Sequence, residues 1–132
     1  MAAQGPITGT DFVSVPTADL ERAVAFYGET LGLHRSVYLP ERSYAEFETG
    51  NLTLSVIDPQ KMGIASEHEP SRAWISLHVE DMASARSELE RRGVSFEGDV
   101  FDTGVCWMSF FKDPDGNALM LHHRYAPRAR ER

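Results

Sequence analysis

Cysteine is nearly absent from this chain: Cys106 is the only one in 132 residues. An internal disulfide is therefore impossible, and a reducing, cytoplasmic setting is the expectation. Long apolar runs are missing as well. None approaches the roughly 18 residues that a membrane-spanning helix needs, which excludes an integral membrane protein of that kind. The segment Met1 to Thr10 has no Lys or Arg and no apolar stretch of the sort a secretory signal carries. Positive charge is scarce, with 13 Lys and Arg against 20 Asp and Glu and a net charge of −7. An acidic surface repels nucleic acid and anionic lipid, so neither is an expected partner. A ligand that is cationic, or neutral and apolar, suits the balance better. The arginines at 124, 128, 130 and 132 are interrupted by Glu131 and read as a frayed terminus. Gly-rich phosphate loops, a Ser-His-Asp order and Cys/His zinc spacing do not occur. What remains is enough apolar material, 42% of residues, for the core of one domain.

The chain repeats itself. Moved by 62 residues, Phe12 to Tyr27 lies over Trp74 to Leu89, with Ser14 on Ser76, Asp19 on Asp81 and Ala23 on Ala85. Each copy starts with an alternating strand (Val13, Val15; Ile75, Leu77) and reaches an Asp suited to cap a helix. The helix stripes are Leu20, Ala23, Val24 and Tyr27, then Met82, Ala85 and Leu89. Gly32 and Gly93 follow, each suited to a left-handed cap. Three strands are expected after each helix: Arg35 to Leu39, Ser43 to Thr49 and Leu52 to Ile57, then Ser95 to Val100, Gly104 to Phe111 and Ala118 to Arg124. Gly50-Asn51 signals a hairpin, and Asp113-Pro114-Asp115-Gly116-Asn117 a turn. The predicted fold class is α+β, a single domain 1–132 of tandem βαβββ modules. The first module is 10–57, the linker 58–71, the second module 72–125 and the tail 126–132.

The stretches "DLERAVAFYGETLGL" (Asp19 to Leu33), "LHVEDMASARSELERRGV" (Leu77 to Val94) and "FFKDPDGNALML" (Phe110 to Leu121), set in a duplicated chain, resemble the vicinal oxygen chelate superfamily. That group is also called the glyoxalase/bleomycin-resistance/dioxygenase family. The resemblance implies two modules curled into cups that hold ligands, and assembly as a homodimer. Exposed strand edges and apolar surface on a chain this short point the same way. It also implies four metal-ligand positions, a His on the first strand of each module and a carboxylate on the last. Those positions fall on Phe12, Trp74, Ser55 and Met120. None offers an imidazole or a carboxylate, so no metal or other cofactor is expected there, and chemistries that need a Lewis acid are disfavoured.

Strand alternation places Phe12, Ser14, Ser55, Trp74, Ser76, His78, Met120 and His122 on the cup-facing side. Aromatic faces and a thioether suit a planar, largely apolar ligand. The same large side chains could instead plug the cup as core. His78 and His122 are the candidate catalytic residues, as acid or base, or as ligands of a relocated divalent metal that would need Glu46, Glu48 or a water as third donor. Each could equally be an ordinary hydrogen-bonded His at a strand end. His34 and His68 read as solvated, and His123 as outward-facing. Cys106 has no basic neighbour in sequence and reads as a buried inert thiol. Trp107 and Tyr125 are either pocket walls or interface anchors. Arg35, Tyr38 and Arg42 could reach the rim of the cup, or simply lie at the surface.

Three readings of function follow. One is a small-molecule binder, possibly one that sequesters a drug. The second is a lyase, isomerase or dioxygenase-like enzyme working through His78 or His122. The third is a degenerate subunit that mainly binds a partner.

Overall fold

A computed structural model describes residues 5–128 of the chain. Strand β1 (Phe12–Pro16) runs parallel to β4 (Thr53–Ile57), and the first sheet is completed by β3 (Tyr44–Glu48) and β2 (His34–Leu39), in the order β1-β4-β3-β2. The second sheet repeats this order with β5 (Ile75–His78), β8 (Ala118–Arg124), β7 (Cys106–Lys112) and β6 (Glu97–Asp102). Each sheet is mixed, and one helix belongs to each: α1 (Leu20–Ala25) and α2 (Met82–Arg91). The two copies match down to single hydrogen bonds. Thr17 N–H donates to the Ile57 carbonyl at 2.7 Å, and its counterpart Val79 N–H donates to the His122 carbonyl at 3.0 Å. Asp19 caps α1 by accepting from Arg22 N–H at 3.1 Å, and Asp81 caps α2 by accepting from Ser84 N–H at 2.9 Å.

The helical turns that follow Asp19 and Asp81 stop just before Gly32 and Gly93, whose φ of +73° and +96° lies in a region that costs a side-chain-bearing residue free energy. One departure lies inside the first helix. After Ala25 the turns widen to π geometry over Phe26–Thr30, which still brings Tyr27 onto the sheet.

One face of each sheet carries its helix. Val15, Ala45, Phe47, Leu54 and Val56 of the first sheet and Phe111, Leu119 and Leu121 of the second are buried in one continuous apolar cluster with Leu20, Ala23, Tyr27, Met82 and Leu89. The two modules thus share a core, and the opposite face of each sheet stays open.

The connection from β4 to β5 contains no helix or strand, yet it is anchored. Ser71 N–H donates to Asn117 Oδ1 at 2.7 Å, and the Ser71 carbonyl accepts from Ala118 N–H at 3.0 Å. His68, expected to be solvated, has Nε2 at 3.0 Å from the Asp115 carbonyl. The basic tail positions Arg130 and Arg132 lie outside the described residues.

The turn 113–117 does more than reverse the chain. Asp113 Oδ2 accepts from Tyr27 Oη at 2.6 Å and from Asn117 Nδ2 at 2.7 Å, while Oδ1 accepts from the N–H groups of Asp115 and Asn117. Asn117 Nδ2 also donates to the Pro16 carbonyl, and Asp115 Oδ1 accepts from Ala18 N–H and from Arg22 Nη2 at 2.8 Å. Every one of these side chains but Arg22 is buried. A buried network is stabilising while its members are paired, and within this one only Asp115 Oδ2 has no partner among the described residues. Asp113→Ala is therefore expected to cost roughly 3 kcal/mol or more in urea unfolding, against about 1 kcal/mol for Tyr27→Phe, which removes one bond. Equal costs for the two variants would show that the network does not hold the modules.

Candidate functional site: the open faces of the two sheets

Pairing register fixes which side chains share each open face. On the first sheet Ser14 is opposite Ser55, Ser55 is opposite Glu46, and Phe12 and Glu48 both flank Thr53. On the second sheet Ser76 is opposite Met120, Met120 is opposite Phe110, and His78 is opposite His122. The residues expected in one cup thus fall into two groups, one on each sheet.

Exposure separates lining residues from filling ones. Phe12 is 53% exposed and Trp74 43%, so neither plugs a core. Trp74 stands edge-on to Phe110 with ring centroids 5.0 Å apart. Met120 is buried, in register between Ser76 and Phe110, and behaves as filling rather than surface. Ser55 is buried too, in register between Ser14 and Glu46, and the Tyr44 hydroxyl donates to the Glu46 carboxylate. Glu48 accepts from Ser36 Oγ at 2.5 Å and from Thr53 Oγ1 at 2.6 Å, which holds its carboxyl below the usual range. Neither Glu46 nor Glu48 is in an ion pair among the described residues.

The histidines differ in setting. His78 is exposed, with Nε2 at 2.9 Å from Glu80 Oε1. His122 is half-buried, and burial, followed by the neighbouring His78, His123, Arg124 and Arg128, lowers its pKa. The second sheet's open face therefore holds a neutral imidazole beside an exposed one.

Trp107 does not belong to this face. It is opposite His123 in the ladder, one residue out of phase with Met108 and His122, and so stands on the helix-bearing side. There it stacks on His123, with centroids 5.9 Å apart, and touches Tyr125, with centroids 4.8 Å apart. The Tyr125 hydroxyl donates to Asp102, and His123 Nδ1 is 2.9 Å from the Val79 carbonyl.

Against known proteins, the profile of the Glyoxalase/Bleomycin resistance protein/Dioxygenase superfamily matches residues 9–121. The chain belongs to this superfamily. It is 27% identical over 115 residues to the uncharacterized protein YraH of Bacillus subtilis (strain 168), covering 79% of this chain and 89% of that one. It superposes with a TM-score of 0.76 on TnmS3, an antibiotic binding protein from Streptomyces sp. CB03234, at 25% identity over 92% of this chain and 99% of that one. A lactoylglutathione lyase from Agrobacterium tumefaciens shares the fold, with a TM-score of 0.73 and 21% identity over 89% and 94% of the two chains. The same superfamily fold thus carries a protein described as a binder and one described as an enzyme.

At the four positions implied for superfamily metal ligands stand a phenyl ring, a buried hydroxyl, an indole and a buried thioether. That donor set does not fit a divalent cation of the Zn, Mn, Fe or Ni type. His78, His122, Glu46 and Glu48 do not form a cluster of three or more metal-spaced donors among the described residues either. Glu46 and Glu48 lie on the first sheet, and the two histidines on the second.

Two features escape sequence reasoning. Arg124 is opposite Cys106 in the ladder and brings Nη1 to 3.7 Å from its buried Sγ, a basic neighbour 18 residues away. The turn at 113–117 hides a latch whose partners lie about 90 residues earlier, and only the strength of its motif hints at it.

The lowered pKa of His122 has a definite sign in stability. The unfolded chain takes up the proton first, so the folded state loses stability as pH falls below about 6.5, until the folded ring also protonates. His122→Gln removes that loss. Between about pH 7.5 and 5.5 the variant is expected to lose less stability than the parent in urea unfolding. Identical pH dependence would place the titrating group elsewhere.

Proposed function

We propose that this protein is a small-molecule binder that holds a planar, largely apolar or cationic ligand against the open sheet faces, without a resident metal. The observation that carries this reading is the outward shelf on the second sheet, where an exposed Trp74 is braced by Phe110, itself in register with a buried Met120. A side chain that is large, apolar and braced yet exposed contributes little to folding, and it suits stacking on a flat molecule. The carboxylates Glu46 and Glu48 on the first sheet, hydrogen-bonded but in no ion pair among the described residues, with a net charge of −7, favour a ligand that bears positive charge. The likeness to an antibiotic binding protein supports sequestration of a drug-like molecule in the cytoplasm. A second reading rests on His122. A ring kept neutral beside His78 is suited to act as a general base, which would make the protein an enzyme of the lyase or isomerase kind.

Assembly is part of the proposal. The open faces of one chain look outward on separate sheets, and Phe12, Trp74 and Phe101 stay exposed there. A second copy that brings a first-sheet face against a second-sheet face would close the cup and cover that apolar surface. The protein is expected to sediment at twice its chain mass of 14.8 kDa. A single species at the chain mass in micromolar solution would count against the closed cup.

Trp74→Ala tests the shelf. A screen of planar aromatic cations by tryptophan fluorescence is expected to find quenching ligands, and the variant to bind them roughly tenfold more weakly, about 1.4 kcal/mol. Its melting temperature should fall only slightly, because Trp74 lies outside the core. A collapse of the melting temperature, with no compound quenching the parent, would remove the site.

A further inference from the structure

The two modules meet at two pseudo-equivalent junctions that are built differently. At the first, the end of β1 is sealed by the 113–117 turn, with Asn117 Nδ2 on the Pro16 carbonyl and Asp115 Oδ1 on Ala18 N–H. Matching the copies through Thr17/Val79 and Ser55/Met120 makes Leu52 the counterpart of Asn117 and Gly50 the counterpart of Asp115. A leucine has no amide to donate and a glycine no carboxylate to accept. Leu89 likewise stands where Tyr27 stands in the first copy, and ends short of a hydroxyl. The junction at the end of β5 therefore lacks the counterpart of that turn latch, and among the described residues it is bridged instead by Arg92 Nη1, which donates to the carbonyls of Glu29 and Thr30.

A cleft of about 440 Å³ occupies that junction, walled by Leu31, Leu33, Leu52 and Leu54 of the first module and by Ile75 and Leu77 of the second. Leu89 and Leu121 form the buried floor, and Ala85 of α2 leaves room at one side. This volume lies in the range of small-molecule sites, roughly 300 to 1,000 Å³. Most of the wall belongs to the helix-bearing faces, on the far side of the sheets from Phe12 and Trp74.

The charges on its wall cancel. Glu88 Oε2 accepts from Arg92 Nε at 3.0 Å, and Arg92 Nη1 also donates to the carbonyls of Glu29 and Thr30. His78 is engaged with Glu80. The polar groups left are the uncharged side chains of Thr49, Asn51 and Ser76. An apolar space whose charged groups are already paired disfavours an ion, because an ion would lose its hydration without gaining a partner.

We propose that this unlatched junction is a second ligand site, separate from the open faces, that takes a small, neutral, largely apolar molecule. It stands whether or not the open faces bind a ligand.

The test titrates the full-length protein with the neutral fluorophore N-phenyl-1-naphthylamine, which brightens when it leaves water. Saturable binding of one molecule per chain is expected, with the anionic analogue 8-anilinonaphthalene-1-sulfonate at least about tenfold weaker. Ala85→Phe puts a ring into the cleft and is expected to weaken the neutral probe by about tenfold or more with its melting temperature retained. Leu52→Asn, which places the latch amide at the open junction, is expected to act in the same direction and serves if Ala85→Phe fails to fold. Trp74→Ala is expected to leave this affinity within about twofold. Loss of the probe in Trp74→Ala would move it to the open face and overturn the site. So would unchanged binding in folded Ala85→Phe and Leu52→Asn, or absence of binding to the parent. Conversion of a parent dimer to monomer by Ala85→Phe would overturn it as well, since the cleft would then be an interface between copies.

Discussion

Asp113 is the residue on which the arrangement of the two modules depends. Its two carboxylate oxygens collect four hydrogen bonds, two that shape its own turn and two from Tyr27 and Asn117. Through Tyr27 it reaches the first module, and through Asn117 it touches the last residue of β1. A buried carboxylate is costly without such partners, so this geometry is strongly preferred once formed. The same bonds keep the Tyr27 hydroxyl protonated, since burial and the adjacent Asp113 both push its pKa up. A short motif therefore sets the relation of the modules.

That relation leaves one face of each sheet outward, and the outward faces differ in character. The first presents hydroxyls and carboxylates, Ser14, Tyr44, Glu46 and Glu48, around Phe12. The second presents Trp74, Phe110, Met108 and two histidines. Duplicated modules begin with the same fold and diverge by side chain. Here the open face of the first sheet is polar and that of the second aromatic. A ligand that is flat and positively charged would draw on both, stacking on one sheet and meeting carboxylates on the other.

Much of this was legible in the sequence, because a repeat makes each copy a check on the other. The 62-residue shift aligns both capping aspartates, both cap glycines and the alternation of β1 and β5, so existence and type of the elements follow from local chemistry. Parity within strands sets Phe12, His78 and His122 on the side of the sheets away from the helices, which is where the pairing register has them. Burial was harder. Ser55 and Met120 share that side but are buried between neighbouring strands, and depth depends on what packs above a residue. Trp107 had the opposite parity, and the register that shows it depends on pairing with β8 across the 113–117 turn. Long-range partners were beyond local pattern: Arg124 on Cys106, His68 on the Asp115 carbonyl, and Tyr27 on Asp113. No window of sequence contains both members of those pairs.

The loss of imidazole and carboxylate at Phe12, Ser55, Trp74 and Met120 also changes where binding energy can come from. A metal site concentrates affinity in a few donors at fixed distances, and one sheet pair can hold it with little surface around it. Stacking and cation–aromatic contacts are worth only about 0.5 to 2 kcal/mol each, so a site built from them needs area and exclusion of water. Trp74 and Phe12, each exposed on its own sheet, supply neither alone. An aromatic, metal-independent site on this fold is therefore tied to assembly more tightly than a metal site would be. In the proposed dimer a second copy would raise the contact area and lower the local dielectric, and both would increase the pull of Glu46 and Glu48 on a cationic ligand.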